Sequence, residues 1–322
     1  MQRKISPNTC AWLQAAPAVL FLLMVGSAVG PALAEPGLYA RCEEGRIVRA
    51  ATGVEMDFAS LAPELAEAGF VLFGERHGVR AHAEASACVL SAMAADRRPV
   101  ALVMEMLSRD DQEAIDGWRR THPENAAGLG KELKWWERGW PAFDSWLPLI
   151  GRAFGLRVPL YGGDLPARES QPRELTREER TALLQRLGEG GEAILENWQA
   201  AMHAAHCGLL SPQEDERLGL HQVRRDLSIA DAALVAAAGG GAVLLEVGRG
   251  HSRKDRSLHA VLFGGSAGGS ESTTLSIGAF TTNEEITSAD RAAHDFLWVV
   301  GEDKAAVEPC LLGDTPAKEQ KP

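Results

Sequence analysis

The chain has 322 residues, of which 45% are hydrophobic and 24% are charged, and its formal net charge at pH 7 is −11. This composition excludes a disordered protein and a mini-protein, because the chain can bury the core of one large domain or two moderate ones. The acidity argues against nucleic acid, or an anionic membrane, as the main partner.

The first 34 residues have the organisation of a cleaved secretory signal. Arg3 and Lys4 precede an apolar stretch at 15–25, and small residues at 32–34 end the segment. The stretch is shorter than the ~20 residues of a membrane span, and no cysteine follows it as a lipoprotein would require. We therefore expect an exported protein, periplasmic or secreted, with no stable membrane insertion after cleavage.

Export allows disulfides among the cysteines of the mature chain. These are Cys42, Cys88, Cys207 and Cys310. Cys42 and Cys310 lie near the two ends of the chain, which often meet at a domain surface, so the sequence favours this pair. No CxxC or CxxCH motif is present, which argues against a thiolate zinc cluster and against covalent haem.

Short apolar runs alternate with helical patterns along the chain. Candidate strands lie at 69–74, 99–104, 158–161, 241–247, 274–280 and 296–300. Their hydrophobicity is continuous, which is typical of parallel strands that crossover helices cover on both faces. Helices are predicted at 81–95 and, from their capping boxes, throughout 175–238. The pattern predicts an α/β fold, a mostly parallel β-sheet flanked by helices, with a smaller all-helical subdomain.

This alternation divides the chain into five segments. They are a signal peptide at 1–34, the first part of an α/β domain at 35–171, a helical subdomain at 172–238, the second part of the α/β domain at 239–312 and a disordered tail at 313–322. The glycine- and serine-rich run at 264–272 is interpreted as a surface loop between two strands, because nothing around it is typical of a phosphate-binding loop.

Polar residues stand where four of the apolar runs end. In chain order they are Glu75, Arg76 and His77, then Glu105, then Asp164, then Arg249 and His251. In a parallel sheet the ligand crevice lies outside the carboxyl ends of the strands, so these side chains should meet at one site. Such a set suits metal binding, acid–base catalysis or the binding of an anionic ligand.

Several of these residues also have a purely structural interpretation. Glu105 stands inside an apolar run and must have a partner, which would be structural if it were a backbone amide or Arg109. Glu75 and His77 could lie in a solvated loop, and His251 could cap a helix.

Three further residues stand apart from this set. Glu246 lies in the middle of a predicted strand and is interpreted as a structural acid paired with a core base. His203 and His206, three residues apart on a predicted helix, either share a ligand or simply end that helix.

A series of motifs follows in order between residues 71 and 263. They read VLFGERHGVRAH, ALVMEMLSRDDQEAIDGW, WPAFDSWLPLIGRAFGLRVPLYGGDLPAR, HAAHCGLL, HQVRRDLSIA and VLLEVGRGHSRKD. In this order they resemble the ChaN family of haem-binding proteins, which belongs with the Tiki and erythromycin-esterase-like superfamily. The resemblance implies a periplasmic haem-binding protein involved in haem or iron uptake, on the α/β fold described above.

The resemblance also implies candidate ligands for haem. In that family haem binding is associated with a tyrosine on the iron, but Tyr39 and Tyr161 are the only tyrosines of this chain. A histidine is therefore the better axial candidate. The candidates are His77, His203, His206 and His251, with Arg76, Arg249 or Arg253 meeting the propionates.

The same superfamily implies an alternative function. Tiki proteins are metal-dependent proteases built around a GxxH turn and a strand-end glutamate, which residues 74–77 and Glu105 match, and the erythromycin esterases hydrolyse a lactone. A hydrolase of this kind would use Glu75, His77, Glu105 and His251 to bind a divalent metal or to act directly. A third interpretation is a binding module for another small molecule. A homodimer would need an exposed apolar patch, for which the tryptophan-rich helical part is the candidate.

Overall fold

The six predicted apolar runs and a short hairpin form one eight-stranded sheet. The computed structural model describes residues 42–95, 98–264 and 273–302. Within these ranges the strands are β1 (Arg46–Arg49), β2 (Val54–Met56), β3 (Phe70–Glu75), β4 (Val100–Ser108), β5 (Leu160–Asp164), β6 (Ala242–Gly248), β7 (Thr274–Phe280) and β8 (Phe296–Val299). They lie in the order β2-β1-β8-β7-β3-β6-β4-β5.

The strands from β8 to β5 pair in parallel, whereas β1 pairs antiparallel with both β2 and β8. The predicted α/β fold with a mostly parallel sheet is confirmed. The β1–β2 hairpin was not predicted, because its two strands are short and carry charged residues such as Arg46 and Glu55. Strands β3 and β4 extend past their predicted ends, so Glu75 and Glu105 belong to strands rather than to the loops after them.

Helices cover both faces of this sheet. They are α1 (Phe58–Glu67), α2 (Arg80–Met93), α3 (Gln112–Thr121), α4 (Ala126–Glu132), α5 (Leu147–Gly155), α6 (Arg177–Gln185), α7 (Gly191–Ala205), α8 (Pro212–Ala237), α9 (Arg249–Ser252), α10 (Ser257–Gly264) and α11 (Ser288–Ala293). Capping boxes begin α6 at Thr176 and α8 at Ser211, where the side-chain oxygen accepts a backbone N–H of the first turn. A third box, at Ser108, begins the short 3-10 turn that leads into α3.

The apolar core has a separate cluster on each face of the sheet. One contains Leu65 of α1, Leu90 of α2 and Ile150 of α5, and the other contains Ile229 of α8 and Leu258 of α10. A third cluster joins α6, α7 and the first half of α8. Helix α8 is 26 residues long, so its first half belongs to the helical layer and its second half packs on the sheet.

A disulfide joins Cys42 to Cys88 of α2, and both cysteines are buried. The predicted Cys42–Cys310 pairing is therefore wrong. The prediction relied on the closeness of the chain ends, whereas the segment before β1 lies against α2 in the same apolar cluster. Cys207 is also disulfide-bonded.

Several predictions lie outside the described residues. They concern the signal peptide at 1–34, Tyr39, the loop at 265–272, Cys310 and the tail at 313–322. The boundaries predicted for the helical subdomain stay a prediction. Among the described helices, none is both long enough and apolar enough to be a membrane span.

Candidate functional site

A cavity of about 560 Å³ opens at the carboxyl ends of the neighbouring strands β3, β6 and β4. Six of the residues predicted from the sequence line it, namely Glu75, Arg76, His77, Glu105, Arg249 and His251. The parallel sheet brings them together because each lies in or just after a strand that ends at the same edge.

Two glycines allow the close approach of these strand ends. A Cβ on Gly74 would lie 1.9 Å from Oγ of Ser252, so only glycine lets β3 pass this close to α9. A Cβ on Gly248 would lie 2.9 Å from Nε2 of His77 and 3.4 Å from Oε2 of Glu105. Gly248 therefore leaves the space in which these two side chains meet.

His77 is held by a buried carboxylate. Its Nδ1 lies 2.9 Å from Oε1 of Glu75, and the same oxygen accepts the indole N–H of Trp146 at 2.7 Å. With Glu75 ionised, the neutral form of His77 carries its proton on Nδ1 and has its lone pair on Nε2. The His77 ring packs edge-on against Trp140 at 4.9 Å, and 28% of its side chain is exposed.

Burial and charge oppose each other in setting the pKa of His77. Burial disfavours the imidazolium, but the hydrogen bond to Glu75 and the negative charges of Glu105 and Glu75 outweigh it and raise the pKa above its ordinary value. Burial raises the pKa of Glu75 itself, although His77 and Trp146 act in the opposite direction.

Glu105 is the buried anion at the centre of the site. Its Oε2 accepts the backbone N–H of Gly248 at 2.6 Å, and its Oε1 accepts Nη2 of Arg225 at 2.8 Å. Nε2 of His251 and Nε2 of His77 lie 3.4 and 3.9 Å from the same Oε1. Burial alone would raise the pKa of Glu105, but His251, Arg225 and His77 hold it well below its usual range.

His251 is oriented in the same way as His77, by a different acid. Its Nδ1 lies 2.6 Å from Oδ1 of Asp226, which is fully buried and also accepts hydrogen bonds from Trp198 and Ser257. Burial lowers the pKa of His251, but the charges of Glu105 and Asp226 outweigh burial and raise it. The site therefore holds two imidazoles, each with its Nδ1 on a buried carboxylate and its Nε2 near Glu105.

Sequence reasoning missed the contribution of helix α8. Arg225 joins Glu105 to Asp164, with Nη2 donating to Asp164 at 2.7 Å, and Asp226 holds His251. A signal was present, because Asp226 lies three residues after Val223 and four before Ala230, inside the buried stripe of the helix. A carboxylate in such a stripe requires a partner.

Several predicted ligands lie elsewhere or are already paired. His203 and His206 do not line the cavity: Nδ1 of His203 lies 3.0 Å from Oδ2 of Asp215, and Nδ1 of His206 lies 2.8 Å from the carbonyl oxygen of Met202. Arg253 pairs with Asp255 and Asp290. Arg76 and Arg249 line the cavity, and both donate to Glu284.

Tyr161, which the sequence makes a weaker ligand candidate than the histidines, does not line this cavity. Tyr161 lines a different cavity, of about 400 Å³, which includes residues that precede β4 and β6 such as Pro99 and Gly241. No group of three or more histidine, cysteine, aspartate or glutamate side chains is arranged to hold a metal ion in the part of the chain that the structure describes. The predicted divalent-metal set is therefore not supported, since Glu105 is already bound by Arg225 and Gly248.

Comparison with known proteins agrees with this architecture. The family model described as "Haem-binding uptake, Tiki superfamily, ChaN" matches residues 61–262. The chain belongs to the ChaN family. No curated protein matches the sequence.

Two solved structures are similar in fold to this ChaN-family chain. ChaN of Campylobacter jejuni, whose structure describes cofacial haem binding, is 17% identical and superimposes with a TM-score of 0.58, covering 79% of this chain and 96% of that one. The erythromycin esterase EreC is 13% identical, with a TM-score of 0.40 over 74% of this chain and 76% of that one. At 17% identity, the similarity to the ChaN structure supports the fold and nothing finer.

Proposed function

We propose that this protein binds haem in the cavity at the carboxyl edge of the sheet, with Nε2 of His77 as the axial ligand of the iron. The observation that carries the proposal is the state of His77. Its Nδ1 lies 2.9 Å from Oε1 of Glu75, which leaves Nε2 as the nitrogen that carries the lone pair when the imidazole is neutral, and its ring is partly exposed beside the cavity. A histidine whose second nitrogen is fixed by a carboxylate is a typical ligand of iron.

The rest of the cavity suits a flat aromatic ligand. Trp140, Trp198 and Met202 line it and supply apolar surface for a macrocycle. His251 is the less suitable ligand, because only 8% of its side chain is exposed and its Nε2 lies nearer to Glu105. Arg76 is the arginine assigned to a propionate, because 35% of its side chain is exposed at the cavity.

Haem is the cargo in this proposal, and the function is haem or iron uptake in the bacterial periplasm. The family supports the uptake role. The buried Cys42–Cys88 disulfide supports an oxidising compartment, as does the export signal predicted at 1–34. Release of the cargo would follow protonation of His77, because an imidazolium has no lone pair for the iron.

Titration of the purified apo-protein with hemin tests the proposal. We expect a Soret shift for the wild type, a loss of affinity of at least about tenfold in His77→Ala, and an unchanged affinity in His206→Ala. His206 is the matched control because it is an exposed histidine outside the cavity. Equal hemin affinity in wild type and His77→Ala would show that the ligand has been assigned wrongly, and no Soret shift in the wild type would refute haem binding itself.

A second candidate function, hydrolysis without a metal, is favoured by the buried Asp226–His251 pair. An imidazole oriented by a carboxylate is typical of general acid–base catalysis. Glu105 is unsuitable as the base, because its pKa is held well below the ordinary value. The test is turnover of chromogenic esters and fluorogenic peptides in the presence of a chelator. Turnover by the wild type that is lost in His251→Ala would support hydrolysis. No turnover by the wild type would exclude hydrolysis of those substrates.

A further inference from the structure

A single carboxylate binds both of the arginines that follow β3 and β6 at the cavity. Glu284 lies in the turn after β7, and its Oε1 accepts Nη1 of Arg76 at 3.2 Å and Nη2 of Arg249 at 2.7 Å. Its Oε2 accepts Nη1 of Arg249 at 3.2 Å. Two guanidiniums that converge on one carboxylate form an arrangement by which proteins recognise carboxylate ligands. The edge of the cavity therefore carries a carboxylate site that an acid of the chain itself occupies.

Glu284 is also fixed by its own turn. The backbone N–H and the hydroxyl of Thr281 donate to Oε2 of Glu284 at 2.7 and 3.1 Å. Burial raises the pKa of Glu284, but the Arg249 guanidinium and the hydrogen bonds from Thr281 lower it to about 2. Glu284 is therefore an anion at neutral pH and stays beside the two arginines.

The same two guanidiniums are accessible from the cavity. Arg76 and Arg249 both line it, with side chains that are 35% and 25% exposed, whereas Glu284 does not line it. Arg249 is held further, because its Nη1 donates to the carbonyl oxygen of Ala279 at 2.7 Å and its guanidinium lies 4.0 Å from the centre of the Phe280 ring. A guanidinium has five N–H donors, so a ligand carboxylate can reach these arginines but shares their donors and their charge with Glu284.

We propose that Glu284 is a positioning residue that competes, from outside the cavity, with the carboxylate of the ligand for Arg76 and Arg249, and so limits the affinity of the cavity. The identity of the ligand rests on the proposed function, in which this carboxylate is a propionate of haem. A protein that carries a cargo must also release it, and sharing the two arginines with Glu284 keeps the binding reversible.

Titration with hemin and with its dimethyl ester tests the proposal, because the ester has the same iron and macrocycle but no carboxylate. In Glu284→Gln we expect hemin affinity to rise at least about threefold, since a negative charge near the ligand carboxylate is removed, and the affinity for the ester to stay unchanged. Glu64→Gln is the matched control, because Glu64 also pairs with an arginine, Arg49, and does not line the cavity. An unchanged or lower hemin affinity, or an equal rise for the ester, would overturn the proposal.

Glu284→Ala is a second variant for the same titration. The groups that contact Glu284 are donors, namely two guanidiniums and Thr281, so the amide N–H of a glutamine would face them unfavourably. Alanine removes the charge without adding a donor, and it should raise the preference for hemin over the ester as Glu284→Gln does. Weaker binding of both ligands alike would show a merely structural role and would overturn the proposal.

Sodium propionate provides a test without haem. Nitrogen NMR follows the Nε–H signals of Arg76 and Arg249, which are assigned from their absence in Arg76→Lys and Arg249→Lys. In Glu284→Gln these signals should shift at propionate concentrations at least about threefold lower than in the wild type. Equal concentrations in the two proteins, or no shift in either, would overturn the proposal whether or not haem binds. A lower concentration in the variant of a protein that never binds hemin would instead refute the proposed function and leave the role of Glu284 standing.

Discussion

Replacing Arg225 with methionine should destabilise the protein strongly, because it leaves a buried carboxylate without its cation. Glu105 is 1% exposed, and Arg225 donates to it at 2.8 Å while also binding Asp164. Removing one partner of a buried ion pair costs about 3–5 kcal/mol, since the other charge stays buried. At about 2–4 °C per kcal/mol for a domain of this size, Tm should fall by about 6–20 °C.

The assay is urea unfolding, with the loss calculated from the midpoint at unchanged m. Arg186→Met is the matched control, because Arg186 forms an exposed pair with Asp231 and exposed pairs contribute little to stability. The double variant Glu105→Gln with Arg225→Met should recover about 2 kcal/mol or more, since the buried charge is then absent. A loss below about 1 kcal/mol in the single variant, or no recovery in the double variant, would refute this account of Glu105.

The effect of Arg225→Met should also depend on pH in a defined direction. In the wild type the pKa of Glu105 is lowered, so its stabilising contribution is present above the ordinary glutamate pKa and is lost as the pH falls through the lowered value. In the variant, Glu105 keeps His251 and His77 but loses the guanidinium of Arg225, so it takes up a proton at a higher pH than in the wild type. The difference in the free energy of unfolding between the two proteins should therefore shrink as the pH is lowered from 7.

Three further predictions concern the Cys42–Cys88 disulfide, the contact between β3 and α9, and the pH dependence of hemin binding. Cys88→Ser removes the disulfide that links Cys42 to Cys88 across 46 residues of sequence, and it should lower the free energy of unfolding by about 4 kcal/mol. The measurement is urea unfolding without reductant. A loss below about 1 kcal/mol would contradict this prediction. Gly74→Ala should cost about 1–3 kcal/mol because its Cβ would lie 1.9 Å from Oγ of Ser252. Gly151 lies in α5, and a Cβ added there would meet no atom within 4 Å. Gly151→Ala should therefore raise the free energy of unfolding by up to about 1 kcal/mol. A change of the same sign in both glycine variants would contradict this account. Hemin affinity should fall as the pH decreases through the raised pKa of His77, and this fall should occur at a higher pH than for an ordinary imidazole. In Glu105→Gln the midpoint of this fall, measured from the Soret band, should move to lower pH. An unmoved midpoint would exclude the charge of Glu105 as a cause of the raised pKa.

The parts of the site that could be predicted from the sequence are those that strand geometry fixes. Continuous apolar runs predict parallel strands, and parallel strands end at one edge, so Glu75, His77 and His251 are brought together without knowledge of any helix. Arg225 could not be placed in this way, because it lies on helix α8 and not at the end of a strand. Whether it reaches the edge depends on how α8 crosses the sheet, which helical periodicity alone does not determine.

A helix cap and a disulfide show the same difference between local and tertiary information. The Ser211 cap was predictable because it depends on residues within one turn of the chain. The partner of Cys42 was not, because three pairings are compatible with four cysteines and only the packing of the first segment on α2 selects Cys88. Arguments from the general position of chain ends cannot replace that packing.

The two imidazoles of the site depend on opposite faces of the sheet. Glu75, which holds His77, is fixed by Trp146 at the start of α5, whereas Asp226, which holds His251, belongs to α8 on the other face. Both Nε2 atoms approach the same oxygen of Glu105, so the charge of one buried carboxylate raises the pKa of both imidazoles. A change in either helical layer therefore alters one imidazole directly and the other through Glu105. For this reason the cavity behaves as one electrostatic unit although its parts come from distant segments of the chain.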